Sequence, residues 1–395
     1  MTALREDLES SEPDRQFGSG WISGVLALVL AVAGLGAVLC LRYPEYLTVP
    51  EARGVYNVAL IRLALFAGLL TAFVLAIVSI VLRRQKVLGF SAITLVLMAT
   101  ALGGSQAQDR INVQTDVYLG LDWFILSILF TGIVFIPIER LLGARNQPIF
   151  RLEWREDLLY FLISSLFVQG LTYLSLAPSL AILRHTDWVG IRGFIASQPI
   201  WLQVIEIMVL TDLVQYWVHR GFHRVPWLWN FHAIHHSAPM MDWLASSRMH
   251  VMEIVVLRGA TVIPMYILGF AESALYIYLV FVFLLSAAVH SNVRINLRPI
   301  EKWFVTPRFH HWHHGIEREA IDVNFAVHFP WLDRMFGTHH MPEDGRWPSG
   351  YGVVSQPIPR GFIKQLFYPF YRRRPQVAAT AVPAQPVDAP PSDQG

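Results

Sequence analysis

Apolar residues fall along this chain in runs too long for an ordinary soluble element. Residues 21–41 are almost entirely apolar or small. About 20 such residues, at a rise of 1.5 Å each, cross the hydrocarbon layer of a bilayer. Comparable runs recur at 58–82, 87–103, 120–138, 158–183 and 199–218. Arg62 interrupts the second early, and Pro178 lies near the end of the fifth. The sixth carries Glu206 and Asp212, which are costly in lipid unless paired or functional. Residues 251–289 form a further apolar stretch broken at 269–272, which predicts a helical hairpin with arms just long enough to cross. No span is expected beyond His290. Residues 1–18 are polar and acidic and predict a mobile tail, and 375–395, rich in Pro, Ala and Gln, predicts disorder. The expected fold is all-α, a polytopic membrane helical bundle.

Composition agrees with that reading and narrows the chemistry. Hydrophobic residues make up 54% of the 395, and charged residues only 15%, against about 25% in soluble proteins. A net charge of +2, with no basic stripe or nucleic-acid motif, argues against a nucleic-acid partner. The single cysteine, Cys40, excludes an intramolecular disulfide and makes cysteine-ligated metal implausible. Any bound metal must use nitrogen and oxygen. Positive charge at span ends sets the expected orientation. Arg83, Arg84 and Lys86 mark one cytoplasmic loop, and Arg140, Arg145, Arg151 and Arg155 mark another two spans later, although Arg42 and Arg53 would then face outward. Counting onward puts His219, His290 and Arg372, Arg373 and Arg374 on the same cytoplasmic side. The expected location is the bacterial inner membrane, with a histidine-rich helical cap in the cytosol.

The histidines carry the chemistry. Of 15, only His185 lies outside 219–340. Residues 212–236 hold His219, His223, His232, His235 and His236. Residues 306–314 repeat the HxxHH spacing with His310, His313 and His314. Residues four apart share a helix face, so His219 and His223 pair, and each HxxHH triplet is expected to converge on one point. Eight histidines exceed the ligand capacity of one metal, so two metals sharing the set is the simpler arrangement. Imidazole suits zinc, copper, iron and nickel alike. A membrane setting favours iron and O2 chemistry, because a lipid C–H bond offers no handle for hydrolysis. Asp212, two turns before His219 on the same face, is placed to orient an imidazole. A non-redox membrane metal binder or transporter is the reading of another class. It would need ionisable residues along the spans, and Glu206 and Asp212 are isolated.

The same residues resemble the fatty acid hydroxylase / sterol desaturase superfamily of integral membrane di-iron enzymes, over about residues 153–337. The elements that match are DxxxYWxHRxxH (212–223), WxxHxxHHS (229–237), RxHxxE (Arg248, His250, Glu253), HSN (290–292), TPRxHxxHH (306–314) and NFxxxxPWxDRxFGT (324–338). Their order and spacing are closer to the sterol-desaturase and alkylglycerol-monooxygenase branches than to the short plant-type hydroxylases. The resemblance implies a four-helix membrane core with a cytosolic cap carrying two iron ions, and O2-dependent hydroxylation or desaturation of a lipid. It implies as metal ligands His219, His223, His232, His235, His236, His310, His313 and His314, with His290 as a ninth. His250 becomes a candidate ligand, a support for a ligand or a lipid head-group contact, Glu253 a further candidate around the metals, and Asn324 and Asp333 supports of the cap. His311, His328, His339 and His340 match no ligand position and are expected to be structural. The implied layout is a tail (1–18), an extension of about four spans outside the family core (19–140), the hydroxylase-like domain (150–345), a cytosolic segment (346–374) and the terminal tail (375–395). No dinucleotide, flavin or haem signature occurs, so electrons are expected from a separate redox protein or a small reductant. Which lipid is oxidised, and the oligomeric state, stay open at this point.

Overall fold

The computed structural model describes residues 2–108, 117–185, 188–354 and 356–371. Arg372, Arg373, Arg374 and the tail 375–395 lie outside the described residues. The described chain is helical, with β-pairing limited to the isolated bridges Gly143↔Val293 and Gly315↔Tyr351. Among the described residues, seven helices are long and apolar enough to cross a membrane, and the protein is a multi-pass membrane protein. The chain divides into two compact units. One comprises residues 1–130, 148–151 and 165–169; the other comprises 131–147, 152–164 and the chain from Gly170 onward.

The first unit is built on helices α1 (Trp21–Arg42), α2 (Val58–Leu82) and α3 (Val87–Ala101). Their contact is lined by small side chains, with Ala27, Ala31, Ala72, Ala76, Ala92 and Ala99 fully buried. Where lipid surrounds the helices there is little hydrophobic drive between them, so close backbone approach supplies the association. Gly24 shows how close it is: a Cβ there would come within 2.5 Å of Ser79 Oγ and 2.9 Å of Leu88 Cβ. The acidic N-terminal stretch is not the mobile tail its composition predicts. It forms a helix, Thr2–Leu8, whose fully buried Asp7 accepts a hydrogen bond from Arg83 Nε at 2.7 Å. Arg83 also donates to Ser10 Oγ at 3.1 Å and to the Asp14 carbonyl at 2.9 Å. A buried guanidinium next to an acidic segment recruits that segment as its counter-charge.

The fifth apolar run departs from expectation. It is a pair of helices, α5 (Trp154–Leu166) and α6 (Val168–Leu183), bent by 66° at Phe167 and not at Pro178. The cause is a competing partner. The Leu166 carbonyl accepts from the Gly120 N–H at 3.1 Å, and the Gln169 side chain accepts from the Tyr118 N–H at 3.1 Å. Between the first unit's spans and these, α4 covers Leu121–Leu141.

The second unit follows with α7 (Val189–Ser197), α8 (Ile200–Arg224), α9 (Pro226–His236), α10 (Val251–Leu268), α11 (Glu272–His290) and α12 (Pro307–His313). The hairpin turns where the sequence breaks. Gly269 ends α10 at φ +74°, and a Cβ there would meet the Arg192 side chain at 2.9 Å. Arg192 needs that space to donate to the freed carbonyls of Tyr266 (2.6 Å) and Ile267 (2.9 Å). Gln203 Oε1 accepts from the Ala271 N–H at 2.8 Å, tying the turn to α8. At the opposite end, α9, α12 and the segments 291–306 and 314–330 form the histidine-rich part. Glu139 Oε1 accepts from the N–H groups of both Trp243 (2.8 Å) and Asn292 (3.0 Å), and Asn292 in turn exchanges side-chain hydrogen bonds with the Arg145 backbone (3.0 and 2.8 Å).

Candidate metal centre

Four helices bring the predicted histidines together. His219 and His223 lie in the last two turns of α8, His232, His235 and His236 end α9, His290 ends α11, and His310 and His313 lie on α12 with His314 as its C-cap. Nine imidazoles gather into two groups: His219, His223, His232, His236 and His313 in one, and His235, His290, His310 and His314 in the other. Within each group the available ring nitrogens all lie within 4.8 Å of one another.

This corrects the expectation that each HxxHH triplet converges on one point. Residues i and i+4 of a triplet lie about 40° apart around a helix, while i+3 lies about 60° to the other side of i. The pairs His232–His236 and His310–His314 therefore stay together, whereas His235 and His313 each turn to the opposite group. Both α9 and α12 straddle the two groups.

The outward ring nitrogens settle the tautomers. His219 Nδ1 donates to the Phe325 carbonyl (2.9 Å), His313 Nδ1 to that of Val323 (2.8 Å), His235 Nδ1 to that of Arg248 (3.0 Å) and His290 Nδ1 to that of Ser286 (2.7 Å). A carbonyl only accepts, so each Nδ1 carries the proton and each Nε2 presents a bare lone pair. His232 Nδ1 lies 2.5 Å from the Glu253 carboxyl group, which imposes the same tautomer when that group is ionised. Burial holds the His232, His235, His236, His310, His313 and His314 imidazoles well below the usual histidine range, so they are neutral. Yet the His219 and His232 Nε2 atoms stand 3.0 Å apart, and those of His290 and His235 stand 3.3 Å apart. Two facing lone pairs at that range repel unless a cation lies between them. Buried Nε2 atoms of His223 and His313 likewise have no protein partner.

Spacing gives a second test. Metal–imidazole bonds of 2.0–2.1 Å at right angles separate two ligand nitrogens by roughly 3.0 Å. Nε2 separations are 3.1 Å for His236–His232, 3.0 Å for His310–His290 and 3.1 Å for His314–His310. The donor sets fit two cations held by five and four imidazoles. The all-nitrogen sets suit zinc, copper, iron or nickel.

The other candidates divide. Glu253 is fully buried and holds His232, and its second oxygen has no partner in the protein. Glu253→Gln, which removes the charge but keeps the shape, is expected to weaken metal binding roughly tenfold. A chelator competition with metal analysis measures this, and wild-type affinity would show that the carboxylate does not support its ligand. Asp212 reaches no imidazole. Its carboxylate is spent on the N–H groups of Val327 (2.7 Å), His328 (3.1 Å) and Phe329 (2.7 Å). It acts on His219 only through that loop, which includes the Phe325 carbonyl. His250 is in neither group. It caps α10 by accepting from the Met252 N–H (3.1 Å), and its Nε2 bonds the Leu366 carbonyl (3.0 Å). Asn324, at φ +58°, donates to the carbonyls of Phe309 (3.1 Å) and His340 (2.8 Å) and accepts from the His340 N–H (2.8 Å). Asp333 accepts from the N–H groups of Phe325 (2.8 Å) and Ala326 (2.9 Å).

Histidines 311, 328, 339 and 340 stand outside both groups. His311 Nδ1 lies 2.6 Å from the Tyr351 hydroxyl and its Nε2 donates to the Ser291 carbonyl at 3.1 Å; burial pushes its ring down to about 3. His328 Nε2 lies 3.2 Å from the Tyr278 hydroxyl. One group around the site carries no motif signal. Asp322, at φ +61°, places Oδ1 3.3 Å from His223 Nδ1 and Oδ2 3.4 Å from Arg224.

Comparison with known proteins identifies a family and relatives. The fatty acid hydroxylase family model matches residues 204–338, which contain all nine clustered histidines. An ornithine lipid hydroxylase of Rhizobium tropici is 30% identical over 180 residues, covering 44% of this chain and 52% of its own. An alkylglycerol monooxygenase of Danio rerio is 28% identical over 179 residues, covering 44% and 37%. A very-long-chain aldehyde decarbonylase of Oryza sativa is 30% identical over 158 residues, covering 38% and 58%. The match thus spans about half the length of these relatives, and no solved structure matches. Residues 204–338, the segment that builds both histidine groups, thus match the fatty acid hydroxylase family.

Proposed function

We propose that this protein is a membrane-bound di-iron oxygenase that hydroxylates a C–H bond of a lipid, using O2 and electrons from a separate donor. The observation that carries the reading is the pair of buried, neutral, all-imidazole donor sets whose bare nitrogens face one another at about 3 Å, set at the ends of apolar spans. His219, His223, His232, His236 and His313 would hold one iron, and His235, His290, His310 and His314 the other. An iron pair supplies one-electron chemistry with O2 that side chains alone lack. The chain's own residues do the rest. Backbone carbonyls fix the tautomers of His219, His235, His290 and His313, and Glu253 holds His232. The 325–329 loop, pinned by Asp212 and Asp333, backs the first group. All nine clustered histidine side chains are buried, none more than 9% exposed, which excludes bulk water from the reaction. The lipid reaches the site from the membrane side along α8, α10 and α11, and the site faces the cytoplasm.

Hydroxylation is favoured over desaturation by the relatives, two of which are named hydroxylase or monooxygenase. The test is metal analysis with O2 uptake on purified protein. Two irons per chain and reductant-dependent O2 consumption are expected, with comparative lipidomics finding a lipid heavier by one oxygen. A lipid lighter by two hydrogens would mean desaturation instead. Zinc that stays bound without O2 consumption would sink the oxygenase reading.

A further inference from the structure

We infer that Asp322 is a positioning residue for the five-histidine group: its carboxylate accepts the Nδ1 proton of His223 and so leaves that imidazole's Nε2 bare toward a cation. The inference rests on the proposed function only for a metal ion in that group, and on no step of the oxygen chemistry.

Asp322 follows the short 3-10 helix Arg318–Ala320 and takes φ +61°; Asn324 takes φ +58°. Left-handed backbone is uncommon for residues other than glycine, and Asp and Asn tolerate it best. Two such residues in three turn the segment so that three of its groups meet the outer edges of the ring cluster. Asp322 Oδ1 lies 3.3 Å from His223 Nδ1, the Val323 carbonyl accepts from His313 Nδ1 at 2.8 Å, and the Phe325 carbonyl accepts from His219 Nδ1 at 2.9 Å. Four consecutive residues thus back three of the group's five imidazoles, and Asp322 is the one that does so with a charge.

The His223 side chain is 4% exposed, and its buried Nε2 has no partner in the protein. A neutral imidazole has one N–H, so a carboxylate at Nδ1 makes Nε2 the lone pair. A carboxylate behind a metal-binding histidine also raises its basicity and fixes its ring. The competing reading is a surface ion pair: Oδ2 lies 3.4 Å from Arg224, whose side chain is 58% exposed. Such pairs contribute little, and this one gives no reason for the other oxygen to face a buried ring. With Oδ1 on the imidazole and Oδ2 on the guanidinium, Arg224 steadies the carboxylate. The charge is also placed where it serves. Glu253 holds His232 in the same group, whereas the outer contacts of His235 and His290 in the other group are carbonyls.

The test titrates zinc against a chromophoric chelator in purified metal-free protein, which gives a constant for each of two sites. Asp322→Gly keeps the backbone conformation and removes the carboxylate. It is expected to weaken one constant about tenfold and leave the other unchanged. Asp322→Asn, which keeps an acceptor oxygen without the charge, is expected to fall between glycine and wild type, and it decides the matter if the glycine variant does not fold. Arg224→Gln is expected to stay within about twofold of wild type. In a His223→Ala background, Asp322→Gly is expected to add less than about twofold, because its effect passes through that ring. Wild-type constants in both Asp322 variants, equal weakening of both sites, an Arg224→Gln effect as large as that of Asp322→Gly, or full additivity with His223→Ala would each overturn the proposal. A wild type that binds no metal would remove the metal-centre reading along with it. Two bound metals with unchanged constants in the variants would remove this proposal alone.

Discussion

His232→Ala and His235→Ala are each expected to yield protein that inserts into the membrane, carries less metal and has lost turnover by more than a hundredfold. Losing a residue that merely supports a ligand typically costs 10–100-fold, and these two substitutions remove proposed ligands outright. The two choices probe different centres: His232 belongs to the five-histidine group and His235 to the four-histidine group. If the groups are separate metal sites, each variant keeps up to one metal per chain, and the double variant keeps none. Elemental analysis of membrane-extracted protein gives the stoichiometry, O2 uptake gives the activity, and a melting curve reports folding. His339→Ala is the control, because His339 stands outside both groups and touches Arg334 at 3.4 Å. Wild-type turnover in His235→Ala would remove the assignment of the second group, and wild-type metal content in His232→Ala would remove that of the first.

What could be read from the chain beforehand follows from how locally each feature is encoded. A histidine is recognisable by its own side chain, and HxxxH spacing is a helix-face statement, so the clustered residues were legible one by one. Their division into two groups follows from the angle between i+3 and i+4 positions, which a linear motif hides by printing the three histidines side by side. Asp212 announces through its cost in an apolar run that a partner exists. It cannot name the amides of 327–329, which lie more than a hundred residues further on. Asp322 and Glu139 carry no such signal, since a carboxylate in a polar loop or at a helix end is ordinary. The spans were legible by length, but the bend at Phe167 was not. It is set by an N–H from Gly120 taking the Leu166 carbonyl, a tertiary competition that overrides the nearby proline.

Arg248→Met is expected to destabilise the protein by about 3–5 kcal/mol, the usual consequence of removing one partner from a buried ion pair. Arg248 is fully buried, and its guanidinium pairs with the fully buried Asp157, donates to Glu153 Oε2 at 2.8 Å and the Glu153 carbonyl at 3.1 Å, and reaches Ser237 Oγ at 3.3 Å. Glu153 keeps a second cation, Arg360, at 3.1 Å. Arg248→Lys should rescue little, because a single ammonium cannot serve both carboxylates as a fork does. Adding Asp157→Asn to Arg248→Met should recover part of the loss, since that removes the buried negative charge as well. The effect reaches the metal centre through the backbone. The Arg248 carbonyl accepts from His235 Nδ1 at 3.0 Å, so a segment that shifts lets that imidazole turn away from His290. Thermal unfolding in detergent, with metal retention measured before and after, checks both parts. An Arg248→Met protein within about 1 kcal/mol of wild type would show that the pair is dispensable. A destabilised one that still holds its metal fully would show that His235 is held by its metal-side neighbours, not by the Arg248 carbonyl.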